Sequence, residues 1–218
     1  MRRIAATIFW AFTSFAAAQS SWVNGPESKG EVIKCDLPDS QQFKNIGSKI
    51  DGAGMCVFSS VEMAAIYQGL EQMRGYRNWW ASVSRGGGWP EQVDKSLAAW
   101  WRFKKIDPIP YAQYEGKTPE SFLETINKTN RMACITYGFS PRYGKGNIAH
   151  MTNCILYGNQ LATVLDNNFI GEKQYEWMAK PELIRRTKLM GGSAWVFVWL
   201  TPGSPPPPKA KVHHEKVS

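Results

Sequence analysis

The spacing of apolar residues changes near residue 130, and that change constrains the fold more than any single motif. Upstream the period is helical. Cys56 to Met73 carries Val57, Val61, Ala64 and Ala65 close to helical spacing, which predicts a helix opening at Cys56. A second helix is predicted from Gly86-Gly87-Gly88-Trp89-Pro90, where proline suits the first turn, through Val93, Leu97 and Trp100 to about Lys104. A third opens at Thr118-Pro119-Glu120 and continues through Phe122, Leu123 and Ile126. Downstream the apolar runs are short and β-rich: Met132 to Tyr137, Ala149 to Tyr157, Leu161 to Leu165 and Ala194 to Leu200. Gly158-Asn159-Gln160 reads as a hairpin connection, and a short helix is expected from Pro181 to about Lys188. A helical half with an antiparallel sheet half after it is an α+β layout.

The ends of the chain read differently from its middle. Met1-Arg2-Arg3, an apolar run from Ile4 to Phe15 and Ala16-Ala17-Ala18 together predict a signal peptide over residues 1–18. The apolar run falls short of the roughly 20 residues that span a bilayer, so a secreted or periplasmic protein without stable membrane insertion is expected. Residues 19–45 are polar and turn-rich and read as an extended arm. Residues 46–201 are expected to form one domain, which a chain of 218 residues, 43% of them hydrophobic, can support. Residues 202–218, with Pro205 to Pro208, read as a disordered basic tail. The formal charge is +8, but the basic residues read as scattered, with no Arg/Lys cluster interleaved with aromatics, so no nucleic-acid partner is expected. A monomer without cofactor is expected.

Three positions carry chemistry. A helix start favours the thiolate because its unpaired N–H groups and macrodipole stabilise negative charge, which makes Cys56 a candidate nucleophile. His150 is the only histidine outside the tail and stands at the entry to an apolar strand, where a titratable ring needs a partner. Asp166-Asn167-Asn168 ends the next strand, across a hairpin from His150, so a carboxylate or amide there can orient the ring. Asp166 is the first candidate and Asn167 the second; a plain turn is the competing reading. The Gly86–Trp89 loop lacks the Lys-Ser/Thr of a phosphate loop and reads equally as a cleft wall, with Trp89 as a subsite surface, or as a plain helix-start loop. Gly54, Gly88, Trp89 and Tyr143 are the cleft candidates. Cys134, His150, Cys154 and Asp166 match no recognised zinc spacing, so no metal is expected. With Cys56 reserved for chemistry, Cys35, Cys134 and Cys154 allow at most one disulfide.

The order of nucleophile at a helix start, base on a strand and orienter at the end of the following strand resembles the papain-like cysteine peptidase superfamily. The resemblance covers Gly54 to Met63 and Ala149 to Asn168. In papain-type enzymes the orienting asparagine follows the histidine by the sixteen residues that place Asp166 here, and the bacteriocin-processing peptidases of the superfamily use Asp in that role. The resemblance implies hydrolysis of amide bonds in a peptide or protein through an acyl-thioester, with cell-wall peptide amides or an inactive binding protein as alternatives. It departs at the oxyanion donor: the family's glutamine, six residues before the cysteine, is Ile50 here, which leaves Asn45, Ser48 and Gln42 as candidates. The Cys-Gly-Ser-Cys-Trp and Asn-Ser-Trp-Gly signatures are also absent.

Overall fold

The computed structural model describes residues 54–84, 87–129, 131–144, 146–170 and 175–200, and the short strands at 23–24, 32–33 and 211–213. Gly54 adopts φ +72° and starts α1 (Met55–Tyr67), in which every residue from Met55 to Ile66 is buried. A helix covered on all sides is a core helix. It ends earlier than the expected Met73. Gly69, at φ +79°, turns the chain, and Leu70 N–H bonds back to Ala65 O at 2.9 Å. After a 3-10 turn, Gly75 at φ +92° opens α2 (Tyr76–Val83). The buried Glu62 of α1 caps this start, accepting from Gly75 N at 2.8 Å and Arg77 N at 2.7 Å. Pro90 then begins α3 (Pro90–Lys104), as its fixed φ predicts.

The strands are β1 (Val23–Asn24), β2 (Val32–Ile33), β3 (Tyr111–Gly116), β4 (Ala133–Tyr137), β5 (His150–Tyr157), β6 (Leu161–Leu165), β7 (Tyr175–Ala179), β8 (Ala194–Trp199) and β9 (Lys211–His213). β1 and β2 pair with each other within the expected arm. The rest form one antiparallel sheet in the order β7-β6-β5-β4-β8-β3-β9, six full strands with the short β9 at one edge. Lys211–His213, expected in a disordered tail, thus pairs with β3. Two more helices, α4 (Glu120–Thr129) and α5 (Lys180–Thr187), complete the α+β fold.

The expected division into a helical half and a sheet half gives way to a sheet buried on both faces. Along β8, Trp195, Phe197 and Trp199 pack with α1, α2 and α3, while Val196 and Val198 pack with Phe122 and Leu123 of α4 and Leu183 of α5. Two covered faces explain why the strands read as continuous apolar runs rather than alternating ones. β3 escaped the sequence reading because Gln113 and Glu115 break its apolar run. Gln113 is nevertheless buried, its amide bonded to Asp94 Oδ1 at 2.7 Å and its carbonyl accepting from Trp195 Nε1 at 2.7 Å.

Candidate active site

Cys56 is the second residue of α1, 7% exposed, in the first turn, where backbone N–H groups have no intrahelical acceptor. The backbone in front of it is shaped by glycine. A Cβ at Gly54 would lie 2.2 Å from Gly88 N, and one at Gly88 would lie 2.4 Å from Val57 Cβ. The close approach that Gly54 permits is therefore made by the chain's own Gly87–Gly88 backbone, not left open for substrate as its sequence position implied. Trp89, next in the chain, is 47% exposed. The loop read as a cleft wall thus sits on the start of α1.

His150, the first residue of β5, is 7% exposed and lies opposite Tyr137 of β4. Its Nε2 stands 2.8 Å from Asp166 Oδ1, and Asp166 directly follows β6. An ionised carboxylate only accepts hydrogen bonds, so the proton on this contact belongs to Nε2 and the remaining ring nitrogen is Nδ1. Cys56 is close enough to the ring to act on its titration. Burial by itself would lower the ring's pKa; the hydrogen bond to Asp166 and the interaction with Cys56, with the negative charge of both, outweigh it and raise the pKa to about 9. Burial likewise works against the charge on Asp166, yet the bonds from His150, Asn168 N–H and Tyr143 hold its carboxyl below the usual carboxylate range. A cationic ring next to a sulfur, its orientation fixed by a buried carboxylate, is the arrangement that activates a thiol for nucleophilic attack.

The turn reading of Asp166-Asn167-Asn168 and the orienter reading coincide. Asp166 Oδ1 accepts from Asn168 N at 2.9 Å, and Phe169 N donates to Asp166 O at 2.9 Å, so the side chain that holds the imidazole also closes its own turn. Asn167 has a different task from the one expected of it. Its Nδ2 lies 3.0 Å from Cys56 O, 2.9 Å from Ser60 Oγ and 3.0 Å from Met151 O, which ties the start of α1 to β5. Its amide is engaged there, not with the imidazole.

Tyr143, expected as a cleft side chain, is a brace whose role the sequence did not signal. Its hydroxyl donates to Asp166 Oδ2 at 2.9 Å and accepts from Asn168 Nδ2 at 2.9 Å. Its ring lies 5.4 Å from the His150 ring and meets Phe169 edge-on at 5.4 Å, while the Arg142 guanidinium covers Phe169 at 5.2 Å. The oxyanion candidates Asn45, Ser48 and Gln42 lie outside the described residues, as does Cys35.

The other described cysteines contrast with Cys56. Cys134 and Cys154 are free, buried thiols that face opposite sides of the sheet and so cannot pair with each other. Burial pushes Cys154 up to about 12 and Cys134 well above the ordinary thiol range, which leaves both inert near neutral pH. Among the described residues no three His, Cys, Asp or Glu side chains are arranged to hold a metal ion. Comparison with protein-family models and with curated proteins finds no match for this chain.

Proposed function

We propose that the chain is an exported papain-like cysteine hydrolase that cleaves amide bonds, with peptide bonds as its substrates. The observation that carries this reading is His150 held at 2.8 Å by the buried Asp166, with Cys56 at the start of α1 close enough to act on the ring and the ring's pKa raised to about 9. At neutral pH the ring is then the general acid and the sulfur the nucleophile. Thiolate attack on the amide carbon forms a C–S bond and a tetrahedral oxyanion next to the N–H groups of the first turn of α1. Collapse breaks the C–N bond, and the departing nitrogen takes the His150 proton. The neutral ring then removes a proton from water, hydroxide adds to the thioester carbon, and the C–S bond breaks to release the carboxylate and restore the thiolate. Asp166 stays ionised throughout and fixes the ring.

The test is hydrolysis of casein and of purified peptidoglycan by the parent, Cys56→Ala and His150→Ala. Release of new amino termini from casein is expected for the parent alone. Release of stem peptides from the wall preparation, with casein untouched, moves the substrate to cell-wall amides. Full activity in Cys56→Ala removes the assignment of the nucleophile.

A further inference from the structure

The expectation of scattered basic charge fails at the end of α3. There Trp100-Trp101-Arg102-Phe103-Lys104-Lys105 runs into a left-handed Lys105, and residues 102–105 are all exposed. Phe103 is 59% exposed, and Val83, at the end of the neighbouring α2, is 57% exposed. Trp79 of α2 stacks on Phe103 at 5.2 Å and 24°, and Lys104 Nζ stands 5.3 Å from the Trp100 ring. Arg102, Lys104, Lys105 and Asp107 are all exposed there, three cations to one carboxylate within residues 102–107. An apolar surface fringed by cations thus sits at the end of α3 away from the Gly88 loop, about 20 Å along the helix.

We propose that this α2–α3 patch docks the folded domain onto an anionic phospholipid bilayer, with Phe103 and Val83 in the interface and Lys104 and Lys105 on the headgroups. Charge complementarity selects the occupant. A second copy meeting the same patch about a two-fold axis would set Arg102, Lys104 and Lys105 against one another, a like-charge contact. Stacking of nucleobases needs open ring faces, whereas Trp79 and Phe103 stack on each other at 5.2 Å and Trp100 is buried, tilted against both at 5.3 and 5.7 Å. A lipid interface asks only for apolar edges and positive charge, and the formal charge, +6 once Arg2 and Arg3 of the expected signal peptide are removed from 26 basic and 18 acidic residues, adds long-range attraction. No described helix is long and apolar enough to cross a membrane, so the domain lies on the surface.

The experiment is co-sedimentation of the full chain with vesicles of phosphatidylcholine alone and of phosphatidylcholine mixed with phosphatidylglycerol, at low and high salt. Binding to the mixed vesicles, weakened by salt, is expected. Lys104→Gln/Lys105→Gln lowers the partition coefficient about thirtyfold, two charges at about 1 kcal/mol each. Phe103→Ser lowers it about tenfold. Neither change alters the alkylation rate of Cys56, which reports a folded site at the other end of α3. Equal binding to both vesicle types, or indifference to the double lysine change, overturns the proposal. So does a dimer in sedimentation velocity that Phe103→Ser dissolves, or retention of single-stranded DNA in place of vesicles.

Discussion

Asn167 Nδ2 lies 3.0 Å from the backbone oxygen of Cys56, and the same nitrogen reaches Met151 O, one residue beyond His150. One amide therefore ties the first turn of α1, which carries Cys56, to the strand that carries His150. Asn167→Ala leaves Cys56 O, Ser60 Oγ and Met151 O without this donor in a buried space, at a cost of about 1–3 kcal/mol. Urea unfolding is expected to show that loss, and iodoacetamide modification of Cys56 near neutral pH is expected to slow. Unchanged alkylation with lowered stability would reduce Asn167 to a structural tie with no hold on the nucleophile.

The raised pKa of His150 has two identifiable sources that can be removed one at a time. In the parent, NMR titration of the ring is expected to give a value about 9. Cys56→Ala removes one interaction with the ring and one negative charge, and Asp166→Asn removes the other charge, so each lowers the value. Alkylation of Cys56 at neutral pH is expected to be slower in His150→Ala than in the parent. A thiol indifferent to the histidine change would sink the catalytic reading.

The same pair sets how stability varies with pH. The folded pKa of His150 lies above its unfolded value of 6.5, so the pair's contribution is complete below 6.5 and is lost as the pH rises through about 9. The folded pKa of Asp166 is depressed, so its contribution is present above the ordinary carboxylate value of 3.8 and is lost as the pH falls below it. The difference in melting temperature between the parent and His150→Gln is expected to be largest between those limits and to shrink toward pH 9. A difference that stays flat from pH 6 to 9 would contradict the ion pair.

Cys56 and His150 were legible as candidates because each breaks a local rule: a thiol at a helix start after Gly54, and a lone histidine at the mouth of an apolar strand. Asp166 was legible through the hairpin register that sets the end of β6 beside the start of β5. The task of Asn167 was not, since one position separates it from Asp166 in sequence and only the folded chain brings Cys56 O and Met151 O to its amide. Tyr143 stayed hidden for the same reason, as a loop tyrosine carries no period that says which way its hydroxyl turns. β3 was missed because the polar Gln113 and Glu115 mask a strand whose buried amide finds partners only in the folded chain. Two covered faces were equally invisible, since an unbroken apolar run fits a buried strand without naming what covers it.

Gly54 tests the approach of the loop. Alanine there must adopt φ +72° and place a Cβ 2.2 Å from Gly88 N, a backbone atom that has no rotamer to escape into. Gly54→Ala is expected to lower stability by about 2 kcal/mol or more and to slow alkylation of Cys56, because the displaced Gly87–Gly88 backbone rests on the first turn of α1. Wild-type stability in this variant would show that the loop does not rest there.

Tyr143→Phe separates bracing from bulk. Phenylalanine keeps the ring against His150 and Phe169 but removes the hydroxyl that donates to Asp166 Oδ2 and accepts from Asn168 Nδ2. Asp166 then loses one of the donors that hold its charge in a buried position, and its pKa is expected to rise. The stability cost is about 1–2 kcal/mol. Under the proposed hydrolysis kcat falls about tenfold with KM nearly unchanged, since Tyr143 steadies the orienter and does not touch the substrate. The acid limb of the pH–rate profile is expected to move upward, following the Asp166 carboxyl. A rise in KM with kcat and the acid limb unmoved would instead make Tyr143 part of the cleft, as its sequence position first implied.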